Sequence, residues 1–377
     1  MKYIFQKFNF FNSLSFDLNK KKNIFHRNFL LSKFFPLLPF ELCWNIFSGH
    51  SPNSIHQLFF LLDNNYVEDC FSFLRFNYIH EFIKLAVCSP RWASFLNIGI
   101  KFNRTELLNG FISSVFRKII FKNKILICSE INFLCLQKKM RKKFFVQELI
   151  KEITRRLNCF AITNAVYTSG LSFIKPLLNI NYYYNTLNLS QDFKINGGKN
   201  EDLNAKKMKT NKIFQNFEYL DKEYFKNLSN LKILREQFKK KKIYKHFDPT
   251  DFFYWIRFVR GFKYTFMERE KFLIDKKSMI SFYSLPCKTI QSKRPFYFYD
   301  AYFYYGIQLF ENKIFIQKIL FMCKLIGFDL FYILEGIYSV KNLLNSNFKK
   351  GKGKINFYFL GTELEEIYPY ENGLIFF

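Results

Sequence analysis

From Trp44 to about Asn188 the apolar residues fall into short periodic runs separated by polar turns, and the period changes from run to run. Ser54–Asn64 and Ile79–Val87 have helical spacing and predict short amphipathic helices. Ile98–Ile100 and Gly110–Val115 predict strands, and Ile125–Leu136 predicts one long strand or two. The clearest helix follows: Phe145, Val146, Leu149, Ile150, Ile153 and Leu157 share one face, with Glu148, Lys151, Glu152, Arg155 and Arg156 opposite. Ala161–Tyr167 predicts the next strand, ended by Thr168-Ser-Gly170.

Beyond this block the pattern lapses. Residues 190–215 are polar, contain a Gly-Gly pair and show little periodicity, which predicts a linker or insertion. A further patterned region follows, with helix over Asn227–Lys240, strand over Ser278–Leu285, helix over Ile314–Leu325 and a strand-rich end. The expected organisation is an arm over 1–40, one half over 41–195, a linker over 196–215 and another half over 216–377. The expected fold class is mixed α/β (α+β).

Composition changes this picture little. The chain has 377 residues, 49% of them hydrophobic, enough for a sizeable core. Its 53 Phe, and heavy use of Lys, Asn, Ile and Tyr, match AT-rich coding, so the formal charge of +28 reads first as a lysine-rich solvated surface. Runs such as Lys20–Lys22 and Lys239–Lys242 are short, and nucleic acid is disfavoured as a partner. The eight cysteines form no C-x-x-C pair and do not cluster with the five histidines, so neither a metal site nor a disulfide framework is expected. Reduced thiols fit a cytoplasmic location. No uncharged apolar run reaches membrane-spanning length, and the N-terminus lacks a signal-peptide core.

The informative segment is "EINFLCLQKKMRKKFFVQELIKEITRR", a strand, a basic turn and an amphipathic helix. A helix N-terminus offers unpaired N–H groups and a positive dipole end, so Arg141, Lys142 and Lys143 just before it could meet phosphate. An ordinary basic loop would have the same composition. Asn132 is harder to explain as plain core, because a buried amide needs partners.

Several motifs in order carry a resemblance. "EINFLC", "EITRR" and "AVYTSG", preceded by "LLDNNYVEDCFSFLRFNYIHEF" and followed by "SFYSLP" (281–286) and "IGFDLF" (326–331), resemble the glycylpeptide N-tetradecanoyltransferases, or N-myristoyltransferases. The resemblance is close over roughly residues 36–190 and looser over 225–377. It implies two tandem GNAT-like acyltransferase halves related by a pseudo-two-fold, with a mixed central sheet flanked by helices. The implied reaction moves a C14 acyl group from myristoyl-CoA, as co-substrate, to the N-terminal glycine amine of a peptide or protein. No prosthetic group is implied.

Residue by residue, the resemblance places the oxyanion-hole amides at Phe133 and Leu134, and side chains that hold the amine at Asn132 and Thr168. It makes the carboxylate of the last residue, Phe377, the base. Four consecutive apolar residues at the chain end suit burial there, and burial raises a carboxylate pKa toward that of the amine. Acyl-CoA contacts are implied at Phe133, Leu134, Cys135, Leu136, Arg141, Lys142, Lys143, Phe144, Phe145 and Val146, and at Phe5 near the N-terminus. Cys135 itself reads as a small buried hydrophobe, not a nucleophile.

The chain departs from the family where the peptide is implied to lie. After Glu68 and Asp69 come Cys70 and Phe71 in place of further acids, the family's R-Y-W-H-R histidine is Tyr184, and the Asp of its K-F-G-x-G-D-G loop is Lys352. These changes predict weaker attraction to lysine-bearing acceptors. Alternatives in view are an acyltransferase of the same fold using another acyl-CoA, such as acetyl-CoA, and a decayed member serving as a basic RNA- or lipid-binding protein. A monomer is expected, and the basic surface is compatible with proximity to a ribosome or membrane surface.

Overall fold

A computed structural model describes residues 37–66, 74–105, 107–141, 144–172, 174–188, 217–219, 229–268, 278–290, 296–307, 313–336 and 338–376. The expected linker, most of the arm, and the site candidates Phe5, Glu68, Asp69, Phe71, Lys142, Lys143 and Phe377 lie outside these residues.

The chain opens with β1 (Leu42–Ile46), α1 (Pro52–Asn65), β2 (Leu74–Phe76) and α2 (His80–Val87). Ser51 caps α1 by accepting from the Ser54 amide, with Pro52 in the first turn where its missing N–H costs nothing. Three long strands follow, β3 (Trp92–Phe102), β4 (Leu108–Phe121) and β5 (Lys124–Leu136), joined as an antiparallel meander. Gly110 of β4 lets the strands pack closely, since a Cβ there would stand 2.5 Å from a Leu136 methyl.

Helix α3 (Phe145–Asn158) then returns to β6 (Asn164–Ser169), which pairs parallel with β5. The apolar face of α3 packs Phe145, Leu149, Ile153 and Leu157 against Ile98, Ile100, Ile112 and Leu136. Glu152 departs from its expected place on the polar face. It is fully buried, with Arg155 and Arg156 gripping its two oxygens at 2.6–3.0 Å while Arg156 also bonds the Phe95 carbonyl. Ala161, at a φ of +54°, turns the chain out of the helix. The next strand consequently starts at Asn164 and takes in Thr168 and Ser169, later than the expected Ala161–Tyr167.

The remaining elements are β7 (Leu178–Thr186), β8 (Phe217–Tyr219), α4 (Ser229–Lys239), β9 (Ile243–Lys245), α5 (Pro249–Ile256), β10 (Lys263–Glu268), β11 (Met279–Ser284), β12 (Cys287–Thr289), β13 (Tyr297–Phe298), β14 (Asp300–Ile307), α6 (Lys313–Ile326), β15 (Leu330–Leu334), α7 (Val340–Asn345), β16 (Lys349–Leu360) and β17 (Asn372–Gly373). Among the described residues a 14-stranded sheet runs β1-β3-β4-β5-β6-β16-β7-β15-β14-β11-β10-β8, with β9 joined to β4 and β17 to β9. A small sheet orders β13-β12-β2. The architecture is mixed α/β, as the pattern predicts.

Early and late parts of the chain interlock. β16, near the chain end, lies between β6 and β7, while β7, from the first 195 residues, pairs among the described strands with β16 and β15, both beyond residue 329. One apolar cluster links Phe133, Tyr183, Phe282, Phe331 and Ile375, and so extends across both halves.

Candidate active site

The β4–β5 ladder is regular up to Ser113↔Asn132 and resumes at Phe111↔Cys135. Ile112 therefore faces two residues, Phe133 and Leu134: a β-bulge. Phe133 adopts a φ of +53°, in the left-handed region that a bulky side chain occupies only at a cost of ~1–3 kcal/mol. The kink sends its ring into the large cluster shared by both halves, while Leu134 packs on the opposite face with the α3 cluster. Tyr66, just past α1, has its ring 6.0 Å from that of Phe133. Burial pushes the Tyr66 phenol well up, so it stays protonated.

At the same place β5 parts from β6. Their parallel ladder runs from Cys128↔Asn164 to Glu130↔Val166. Asn132 and Thr168 thus stand at equivalent positions two residues past its last pair. Asn132 donates from Nδ2 to Glu130 Oε1 at 3.0 Å, and Ser113 Oγ donates to its carbonyl at 3.1 Å. Thr168 is half-buried and lies directly opposite Phe357 of β16.

The chain's tail arrives from the other side. β17 pairs parallel with β9, Asn372 bonds both the amide and the carbonyl of Leu374, and Leu374 and Ile375 are buried. The Phe376 ring sits 5.7 Å from that of Phe357, Thr168's partner across the ladder. Ile375 and Phe376 also pack beside Tyr182, Tyr283, Tyr302 and Tyr332 at a shallow cleft. Tyr302 and Tyr332 stack at 4.8 Å.

Beyond β5, a 3-10 turn (Lys138–Met140) leads into α3, whose first turn no side chain caps. Lys138, Lys139 and Phe144 are exposed there, whereas Phe145 is buried and Val146 half-buried. Arg141 points part of its guanidinium inward, to the carbonyls of Leu136 at 3.2 Å and of Asn65. Leu136 is buried, and so is Cys135, whose thiol burial pushes up to about 12. A thiol with so little thiolate at neutral pH is no nucleophile.

Of the acceptor-side candidates, Tyr184 lies on β7 opposite Lys349 and Tyr332, and Lys352 is exposed on β16 where the β7 register breaks between Lys350 and Lys354. The structure therefore brings Asn132, Phe133, Leu134 and Thr168 to one locus, with the tail beside it. Tyr184 and Lys352 stand farther along the β7–β16 pair. Sequence reasoning gave no role to Tyr66 or Arg117. Tyr66 sits inside the N-Y-V-E-D motif and could have been found there, whereas nothing along the chain distinguishes Arg117 from any other basic residue on a strand. Among the described residues no group of three or more His, Cys, Asp or Glu could hold a metal ion. No helix among them is long and apolar enough to cross a membrane.

Comparison with known proteins bears on the fold and the family. A family model for the N-terminal domain of myristoyl-CoA:protein N-myristoyltransferase matches residues 31–179, and one for its C-terminal domain matches 191–369. A glycylpeptide N-tetradecanoyltransferase of Plasmodium falciparum is 30% identical over 347 residues, covering 90% of this chain and 83% of its own. Glycylpeptide N-tetradecanoyltransferase 1 of Arabidopsis thaliana is 27% identical, covering 90% and 80%. The fold matches that of Saccharomyces cerevisiae N-myristoyltransferase solved with bound myristoyl-CoA, at a TM-score of 0.77 and 23% identity over 91% of this chain and 84% of that one. With both family domains matched in order along most of its length, this chain belongs to the N-myristoyltransferase family.

Proposed function

We propose that this acyltransferase moves a myristoyl group from myristoyl-CoA to the N-terminal glycine amine of proteins, by direct attack at the seam where β5 parts from β6. The observation that carries the reading is the bulge at Phe133, set beside Asn132 and Thr168 at the end of the β5–β6 ladder. Amides turned out of a ladder by a bulge are preorganised donors, and such a donor is worth about 3–4 kcal/mol when aimed at a developing oxyanion.

In this reading the thioester carbonyl oxygen receives the Phe133 and Leu134 amides. The acyl chain follows the apolar surface around Phe133. The CoA phosphates lie toward the exposed basic turn and the uncapped start of α3, where the helix end favours anions. Asn132 and Thr168 hold the glycine amine.

The amine nitrogen bonds to the thioester carbon, its proton passes to the Phe377 carboxylate, and the carbon–sulfur bond breaks to release CoA thiolate. Because a free α-amine has a pKa near 7.7–8.0, about one in ten is already neutral at pH 7. A carboxylate of modest basicity then suffices, provided it is placed well. Support for the tail in this role is its course: Leu374 and Ile375 are buried, and Phe376 packs on the strand neighbour of Thr168.

The test is single-turnover transfer from myristoyl-CoA to a glycine-initiated peptide, for the full chain and for a chain lacking Phe377. The full chain should transfer C14 and not acetyl groups. The truncated chain should bind myristoyl-CoA normally and lose at least about 100-fold in rate, within the range a positioned base contributes. Equal rates would remove the carboxylate from the mechanism.

A further inference from the structure

The β4–β5 pair carries a buried ion pair that the reaction scheme leaves unused. Glu130 is 2% exposed and Arg117 1%, with Arg117 Nε donating to Glu130 Oε2 at 2.6 Å. Arg117 also bonds Ser89 Oγ at 2.9 Å and the Pro90 carbonyl at 3.2 Å, and its guanidinium lies 5.2 Å from the Trp255 ring centre. Another cation, Lys245 of β9, stands 4.4 Å from the same ring. Burying several charged and polar groups at one strand junction is costly and calls for a reason beyond packing, which apolar residues would serve as well.

The other oxygen of Glu130 supplies one. Oε1 accepts from Asn132 Nδ2 at 3.0 Å. An amide side chain has a donor end and an acceptor end of nearly equal size, so packing cannot choose between its two flips. Hydrogen-bond partners must. An ionised carboxylate only accepts, so it holds Nδ2 toward itself and leaves Oδ1 for an incoming donor. A glycine amine is such a donor, whereas the flipped amide would present N–H groups to it.

We propose that Glu130, anchored by Arg117, is a positioning residue that fixes Asn132 in the flip able to accept from the acceptor glycine amine. This rests on the acyl-transfer reading above and deepens it. Burial alone would raise the Glu130 carboxyl, but Arg117, Lys245 and the Asn132 bond outweigh it and hold it below the usual range. Burial and the neighbouring Arg117 bring Lys245 down to about 7, despite the opposing pull of Glu130 and Asp251. Tyr304 and Tyr305 of β14 also face the carboxylate, and burial keeps both phenols protonated.

Three variants of the full chain test the proposal, with myristoyl-CoA and a glycine-initiated peptide: Glu130→Gln, Arg117→Lys, and the double Arg117→Met/Glu130→Met. Glu130→Gln offers Asn132 either end of an amide and should leave myristoyl-CoA affinity unchanged while kcat falls about 10–100-fold, as for a reacting group slightly misplaced. Arg117→Lys should keep most of the activity. The double variant replaces a buried pair by apolar groups and should unfold at or above the wild-type midpoint, yet stay as slow as Glu130→Gln. Wild-type kcat in Glu130→Gln or in the double variant overturns the proposal, as does activity that falls only in step with the folded fraction. A wild-type chain that transfers no acyl group fails the parent reading and this one with it. A fast wild type beside an equally fast Glu130→Gln fails the positioning role alone.

Discussion

Phe133 shows how one residue's backbone can be set by its surroundings. Nothing in its side chain favours a φ of +53°, yet the ring is 5% exposed and meets the rings of Tyr66, Tyr78 and Phe82. Burial of an aromatic side chain is worth about 1.5–3 kcal/mol, enough to offset the strained backbone. The family motif alone singled this residue out; no propensity rule places a left-handed Phe in a strand. Asp300 is a residue the sequence reading passed over. It is 4% exposed, near Asp329, and its Oδ1 has no hydrogen-bond partner among the described residues. Burial, then the charge of Asp329, pushes its carboxyl up to about 8. The folded state therefore binds a proton that the unfolded chain, with a value near 3.8, has lost at intermediate pH. Stability from this group is full below about pH 4 and declines as pH rises toward about 8. Asp300→Asn should remove that decline. Denaturant unfolding at about pH 5 and about pH 8 should show the variant gaining on the wild type at the higher pH, and a constant difference would refute the assignment.

At the scale of elements, legibility followed periodicity. Helix α3 was readable because six apolar residues keep 3.6-residue spacing, and its bounds (Phe145–Asn158) match the expected face. Glu152 was misplaced because a charge on the flank of the stripe can be buried when two arginines neutralise it. Strand β11 lies within the expected Ser278–Leu285, whereas β14 was missed, because a strand buried on both faces shows no alternation to read. The short helix α5 hid in the aromatic run "PTDFFYWI", although Asp248 caps it at 2.8 Å with Pro249 in the first turn. The tail was legible as buried from its composition, but not the means of fixing it. Gly373 supplies that means: a Cβ there would lie 2.8 Å from Phe238 and 2.9 Å from the Tyr244 Cβ. Gly373→Ala should push β17 off β9 and destabilise the fold by about 1–3 kcal/mol, the usual cost of overpacking. Because Leu374 to Phe376 follow directly, kcat should fall further than the loss of folded protein explains. Unchanged turnover per folded molecule would separate the tail from the chemistry.

Across the whole molecule, the interlocked strands decide what lies near the acceptor. Thr168 pairs with Phe357 on β16, and Lys352 lies five residues earlier on that strand, at most about 17 Å away. An acceptor peptide held at its glycine near Thr168 and running beside β16 would reach Lys352 after about five extended residues. Lys349, Lys350, Lys352 and Lys354 are all exposed along this stretch, so the distal part of an acceptor on that course would meet positive charge. At an exposed site one like-charge contact at close range costs on the order of 1 kcal/mol, which is several-fold in KM. A lysine at the distal position should therefore bring no advantage over alanine, and a glutamate there should lower KM by a few-fold. Matched glycine-initiated peptides differing only at that position would show this, with the differences shrinking as salt rises. Lys352→Asp should reverse the order, favouring lysine, while leaving kcat unchanged because the substitution lies far from the amine. A strong preference for lysine in the wild-type chain would mean that the acceptor takes another course, away from β16, and that the lysines there are only a solvated edge.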